Sequence, residues 1–167
     1  MTSPCTDYGR ELLKRAGDKM AEKIKAIIFD WAGTLYEKNK GLFPYSENVL
    51  QELKPKYKLA VISKTVSNSV EERLKQIDGV KHYFDFIIAE IDKTPEHYTK
   101  CMRKLKVKPE ETLVVDDRTL RGIQIGNKLG CKTAWIEKGE YSNEIPNEET
   151  ENPHYTIKSI EDLLTIF

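Results

Sequence analysis

The chain has 167 residues, 39% of them hydrophobic and 32% charged, with Lys+Arg and Asp+Glu balanced at 27 each. That length suits one domain with a core of its own, and the charge balance gives no footing for nucleic acid or an anionic membrane surface as a partner. The longest apolar runs are strand-sized, too short to cross a bilayer, and the first residues scatter Lys and Asp where a secretion signal would have an apolar centre. Cys5, Cys101 and Cys131 are an odd number with no CxxC spacing. They predict reduced thiols in a cytoplasmic protein and argue against a zinc site.

Taken in order, residues 5 to 22 place Tyr8, Leu12, Leu13, Ala16 and Met20 at helical spacing. They predict an amphipathic helix ahead of the first strand. The chain accordingly divides into an N-terminal helical segment, 1–23, and a single domain, 24–167. Ala26 to Phe29 reads as a short buried strand ending on Asp30, with Gly33 and Thr34 close behind. Glu37 to Pro44 reads as a mixed loop, and Ser46 as the cap of a helix over Glu47 to Leu53. Lys58 to Ser63 is a second strand, followed by a helix to about Ile77 that Thr65, Ser67 or Asn68 can cap. Phe84 to Ala89 is a third strand. Thr94-Pro95-Glu96 opens a helix with a cap, a proline in the first position and an acid in the first turn.

Thr112 to Val115 is a fourth strand ending at Asp116-Asp117. Leu120 to Leu129 is a helix stopped by Gly130, and Lys132 to Ile136 a fifth strand. Gly139 to Pro153 reads as a loop, Tyr155 to Ile157 as an edge strand, and Ser159 to Ile166 as the last helix. Strands that are apolar runs and alternate with helices specify an α/β fold: a Rossmann-like, doubly wound parallel sheet with helices on both faces.

In such a sheet the carboxyl ends of the strands face one crevice, where ligands bind. Asp30, Ser63 and Asp116-Asp117 all fall at strand ends, and Lys93 follows a further strand. Two converging acids suit a hard divalent cation, since magnesium takes one or two carboxylates together with water and phosphate oxygens. Ser63 and Lys93 offer a hydroxyl and an ammonium to a phosphoryl group, and Asp30 is a carboxylate nucleophile. The competing reading makes Asp30 an Asx turn, Ser63 a helix cap and Lys93 a solvated lysine.

The set Phe29-Asp30-Trp31-Ala32-Gly33-Thr34-Leu35, Val61-Ile62-Ser63, Lys93-Thr94-Pro95-Glu96-His97-Tyr98 and Val114-Val115-Asp116-Asp117, trailed by Gly122-Ile123 and Gly130, resembles the motifs of the haloacid dehalogenase superfamily of phosphohydrolases. The resemblance spans Lys25 to Ile136. It implies that Asp30 is the nucleophile of an aspartyl-phosphate mechanism on a phosphorylated substrate. Lys93 would assist it, and Ser63, Lys64, Gly33 and Thr34 would bind the substrate. Mg2+ would be held by Asp30, the backbone carbonyl of Ala32 and one of Asp116 and Asp117, with Asp117 favoured by its distance from Gly130.

Two departures from that pattern stand out. The usual phosphatase carries a second aspartate two residues after the nucleophile as general acid and base, and here that residue is Ala32. Loss of such a group typically costs about 10²–10⁴ in rate. Asp-Trp-Ala-Gly-Thr resembles the phosphonoacetaldehyde hydrolase branch, yet Leu35 to Leu59 leaves room for a loop and one helix only, not for the cap that bears that branch's Schiff-base lysine. Lys38 and Lys40 in the loop read as solvated. A capless member has an open crevice, which suits a large substrate or closure by a neighbouring subunit in a homo-oligomer. The alternative to an enzyme slowed by Ala32 is a catalytically impaired relative that binds a phosphorylated ligand or a protein.

Overall fold

A computed structural model describes residues 23–167; the helix expected over residues 5–22 lies outside the described residues. Its core is a parallel sheet of six strands in the order β5-β4-β1-β6-β7-β8. These strands are β1 (Ala26–Phe29), β4 (Lys58–Lys64), β5 (Phe86–Glu90), β6 (Thr112–Asp116), β7 (Lys132–Ile136) and β8 (Tyr155–Ile157). A two-stranded antiparallel ribbon, β2 (Tyr36–Glu37) and β3 (Gly41–Leu42), stands apart from it.

The strands are apolar runs because both faces of the sheet are covered. Successive side chains leave a strand on opposite faces, and the core divides accordingly. Ile27 and Phe29 join Leu59, Val61, Leu113 and Val115 on one face, packed with Leu50 and Leu53 of α1 (Ser46–Leu53) and Leu163 of α5 (Leu163–Ile166). Ala26 and Ile28 join Ala60, Ile62 and Val114 on the other, packed with Tyr98, Cys101, Met102 and Leu105 of α3 (Pro95–Leu105). Helix α2 (Val70–Asp78) follows β4, and α4 (Gln124–Leu129) precedes β7. Cys101 and Cys131 are buried free thiols. No helix of the described residues is long and apolar enough to cross a membrane.

Register puts the chemistry at one edge. Phe29 pairs with Val61 on one side and Val115 on the other. Asp30, Ser63 and Asp116-Asp117 therefore emerge side by side where β1, β4 and β6 end. Lys93 arrives from the turn after β5, immediately before α3. That helix starts as its sequence dictates: Pro95 occupies the first turn, and the Thr94 amide donates to His97 Nδ1 at 3.2 Å, so a histidine closes the capping box.

Several local expectations are corrected. The loop Glu37 to Pro44 contains the β2–β3 ribbon, turned by Asn39 in the left-handed region (φ 64). Ser46 does not cap α1; its hydroxyl is buried and donates to the Leu35 carbonyl at 2.7 Å, tying the helix to the loop after β1. No side chain caps α2, which is entered through a 3-10 turn, Ser67–Ser69. The helix expected from Leu120 opens instead as a π-helical turn, Thr119–Ile123, before α4. The last helix likewise begins as a 3-10 turn, Ile160–Asp162, but with Ser159 as its cap, accepting from the Glu161 amide.

Candidate active site

The chain folds back on itself directly after Asp30. The carbonyl of Trp31 accepts from the amides of Thr34, Leu35 and Tyr36 at 2.9–3.2 Å, and the Gly33 amide donates to the Tyr36 carbonyl at 2.9 Å. Gly33 adopts φ +83, and a Cβ there would lie 2.1 Å from Asp117 Oδ2. Only glycine serves at that point, because the loop both turns left-handed and presses its backbone against a carboxylate. The Ala32 carbonyl takes no backbone hydrogen bond among the described residues, so it keeps its lone pairs for another partner. Gly122 repeats the device on the far side: a Cβ there would lie 2.1 Å from Asp116 Oδ2. The π-helical turn brings that glycine against the acid.

Three carboxylates share this pocket of backbone. Oxygens of Asp30, Asp116 and Asp117 lie within 4.8 Å of one another, with Asp116 and Asp117 buried. Lys93 inserts between two of them, its Nζ 2.7 Å from Asp30 Oδ1 and 3.0 Å from Asp116 Oδ2, with 2% of its side chain exposed. Asp116 is further fixed by the Arg118 amide at 2.9 Å. Thr34 Oγ1 stands 3.4 Å from Asp30 Oδ2, the outer limit of a hydrogen bond.

The electrostatics follow from three acids meeting one ammonium. Burial, and then repulsion by Asp116, raise the Asp30 carboxyl to about 6 despite the opposing pull of Lys93. Lys93 therefore does not set the ionisation of Asp30 by itself, although Asp30 is still charged at neutral pH. Burial would lower Lys93, but Asp116 and Asp30 hold it well above the ordinary lysine value. Asp117 has no cation in direct contact, and burial, Asp30 and Asp116 outweigh the weaker pull of Lys93 and push its carboxyl to about 9. An acid so raised, at the base of the crevice beside two others, is a group short of a positive charge. A divalent cation among Asp30, Asp117 and the Ala32 carbonyl fits this donor set, all hard oxygen atoms.

Other expected residues fall around this centre. Ser63 is buried at the end of β4, and its Oγ accepts from Arg73 Nη1 of α2. Lys64 reaches the other way, 3.7 Å from Asp92, and is not brought to the carboxylates. Trp31 is fully buried in the core, its Nε1 donating to Gln76 at 3.1 Å; it packs, and does not line the mouth. Lys40 pairs with Glu37 at 2.8 Å, whereas Lys38 lines the crevice mouth.

That mouth is a cleft of about 560 Å³ with Ala32, Gly33 and Asp117 at its base and Tyr45, Lys138 and Tyr141 among its walls. Its far wall is the loop after β7, held down by Glu144. This carboxylate accepts from Arg118 Nε at 2.7 Å and from the Leu120 amide at 2.6 Å, and Arg118 lies over the Tyr141 ring at 3.7 Å. The sequence offered no motif for these wall residues or for Arg73.

Comparison with known proteins finds a family described as haloacid dehalogenase-like hydrolase, matching residues 6–136. A glyceraldehyde 3-phosphate phosphatase of Methanopyrus kandleri is 26% identical over 161 residues, covering 93% of this chain and 69% of that protein. Pyrophosphatase PpaX of Halalkalibacterium halodurans is 30% identical over 168 residues, covering 98% of this chain and 75% of the relative. Among solved structures, a HAD phosphatase from Thermococcus onnurineus superimposes with a TM-score of 0.68 at 16% identity, over 86% of this chain and 97% of that one. The expectation of a phosphohydrolase agrees with the family and the two relatives, and that of an α/β sheet with the structural match.

Proposed function

Since the chain belongs to the haloacid dehalogenase-like hydrolase family, we propose that it is a magnesium-dependent phosphohydrolase acting through an aspartyl-phosphate on Asp30. The observation that carries this reading is the Lys93 ammonium wedged between Asp30 and Asp116 beside the buried third carboxyl group of Asp117. With a second cation supplied, such an arrangement can accept a dianionic phosphoryl group next to a carboxylate able to attack it.

An oxygen of Asp30 attacks phosphorus, its bond to phosphorus forming as the bond to the leaving oxygen breaks. Lys93 holds the attacking carboxylate in place and offsets charge on the transferred oxygens. Ser63 donates to one of those oxygens. Asp30, Asp117 and the Ala32 carbonyl would hold Mg2+, which when bound offsets further negative charge at the phosphoryl group. Water then attacks the acyl phosphate, breaking the bond between phosphorus and Asp30 and releasing inorganic phosphate.

Ala32 carries no proton for the leaving oxygen. This favours substrates whose leaving group departs as a stable anion, acyl phosphates and phosphoanhydrides over phosphate esters of simple alcohols. The relatives named as phosphatase and pyrophosphatase span both kinds.

The test is phosphate release from acetyl phosphate and from a simple alkyl phosphate, with and without Mg2+, for wild type and Asp30→Asn. Turnover that needs Mg2+, favours acetyl phosphate and disappears in Asp30→Asn is the expected result. Turnover that persists in Asp30→Asn defeats the nucleophile assignment.

A further inference from the structure

Helix α2 is charged along most of its length, Val-Glu-Glu-Arg-Leu-Lys-Gln-Ile-Asp, and buries only Ile77. Arg73 departs from its neighbours by turning inward. Its Nη1 donates to Ser63 Oγ and, at 3.3 Å, to the Lys64 carbonyl. Its Nε is buried with no hydrogen-bond partner, and it forms no ion pair among the described residues. The guanidinium is within electrostatic range of Asp30. A half-buried cation held by one hydroxyl and one carbonyl, with a donor unused, has charge left for an anion.

From this geometry we infer that Arg73 is a positioning residue for the phosphoryl group, acting through Ser63. A serine hydroxyl has one proton to give and two lone pairs to receive. With Arg73 donating into one lone pair, the Ser63 proton is left to point into the crevice, toward an oxygen of a phosphoryl group beside Asp30. Donation from a cation also polarises that O–H and strengthens the bond it makes. The residue thereby fixes a hydroxyl rotor that would otherwise be free to donate elsewhere. This inference rests on the proposed role of Ser63 in binding the phosphoryl group, and it adds a cation that no motif of the sequence announces.

The experiment measures the affinity of the full chain for inorganic phosphate by calorimetry, in Mg2+, across wild type, Arg73→Gln, Arg73→Lys, Ser63→Ala and the Ser63→Ala/Arg73→Gln pair. Loss of a charge-assisted hydrogen bond corresponds to a weakening of about 10- to 100-fold, expected for Arg73→Gln. Because Arg73 works through Ser63, the double variant is expected within about threefold of Ser63→Ala alone, the non-additivity of one coupled unit. Arg73→Lys, which keeps the charge and loses the fork, falls between wild type and Arg73→Gln and guards against a folding artefact.

Phosphate affinity in Arg73→Gln within twofold of wild type overturns the inference. So does full additivity in the double variant, or a wild type that binds no phosphate. Asp30→Asn separates this result from the proposed reaction. If that variant still hydrolyses acetyl phosphate, the aspartyl-phosphate reading falls, while phosphate affinity dependent on Arg73 and Ser63 still upholds the inference.

Discussion

Asp117→Asn should make the metal-free protein more stable while abolishing its response to magnesium. The carboxyl is raised from an ordinary value of 3.8 to about 9 by burial and by Asp30 and Asp116. A raised acid contributes stability that is fully present below its unfolded value and lost as pH climbs through its folded one. At pH 7 the native state must keep Asp117 protonated where the unfolded chain would ionise it, which costs roughly 4 kcal/mol at about 1.4 kcal/mol per pH unit. Asparagine has the same shape and no such cost. The gain expected is on the order of a few kcal/mol, each kcal/mol being worth about 2–4 °C in melting temperature for a chain of this size. The assay is thermal melting in EDTA and in saturating Mg2+, from pH 5 to pH 9. The advantage of Asp117→Asn in EDTA should widen as pH rises, and only the wild type should gain from Mg2+. A variant that melts lower than wild type in EDTA at pH 7, or that keeps the magnesium-dependent rise, refutes the reasoning.

Three further outcomes follow from the same geometry. Gly33→Ala places a methyl 2.1 Å from Asp117 Oδ2 at φ +83, so it should destabilise by at least about 1–2 kcal/mol and weaken the magnesium response measured by melting. Ala32→Asp should raise turnover of simple alkyl phosphates by up to about 10²–10⁴ and leave p-nitrophenyl and acetyl phosphate, whose leaving groups depart as stable anions, nearly unchanged; equal gains on all three would show that the missing acid is not what limits the chemistry. With Asp30 raised to about 6, kcat/KM at limiting Mg2+ should fall about tenfold per pH unit below that point. Saturating Mg2+, which favours the ionised carboxylate, should move this limb to lower pH, and a limb indifferent to magnesium would count against Asp30 as a ligand.

The part of the site carried by strands was legible in the residues. Asp30, Ser63 and Asp116-Asp117 each end an apolar run, and parallel pairing leaves such ends only one place to go. Lys93 was legible through its helix start, because Thr94 and Pro95 fix where α3 begins and hence where the preceding residue must stand. What escaped was decided by packing. Trp31, beside Asp30, is of a type that suits a cleft mouth or a core equally, and only packing decides it: the residue is fully buried with Gln76 on α2 accepting its indole proton. Arg73 is one basic residue among Glu71, Glu72 and Lys75 on a mostly solvated helix, and periodicity cannot say which charged side chain turns inward. Lys64 adjoins Ser63 in sequence, but its ammonium lies 3.7 Å from Asp92 rather than among the carboxylates, an orientation that adjacency in sequence does not show. The β2–β3 ribbon escaped because strands of two residues have too few positions to show an alternation.

The central place of β1 bears on how the molecule comes together. Ala26 pairs with Lys58 on one side, but on the other with Thr112, far along the chain. During synthesis β1 emerges well before β6, and after pairing with β4 it stays half-paired while β5 and α3 are made. Loop-closure entropy makes that last docking the slow kind of contact. Asp30 and Lys93 can meet earlier, but Asp116 and Asp117 arrive only with β6. The crowd of carboxylates is thus assembled onto a sheet already partly in place, and magnesium in the surrounding solution would speed or secure a late event in folding, not the first one.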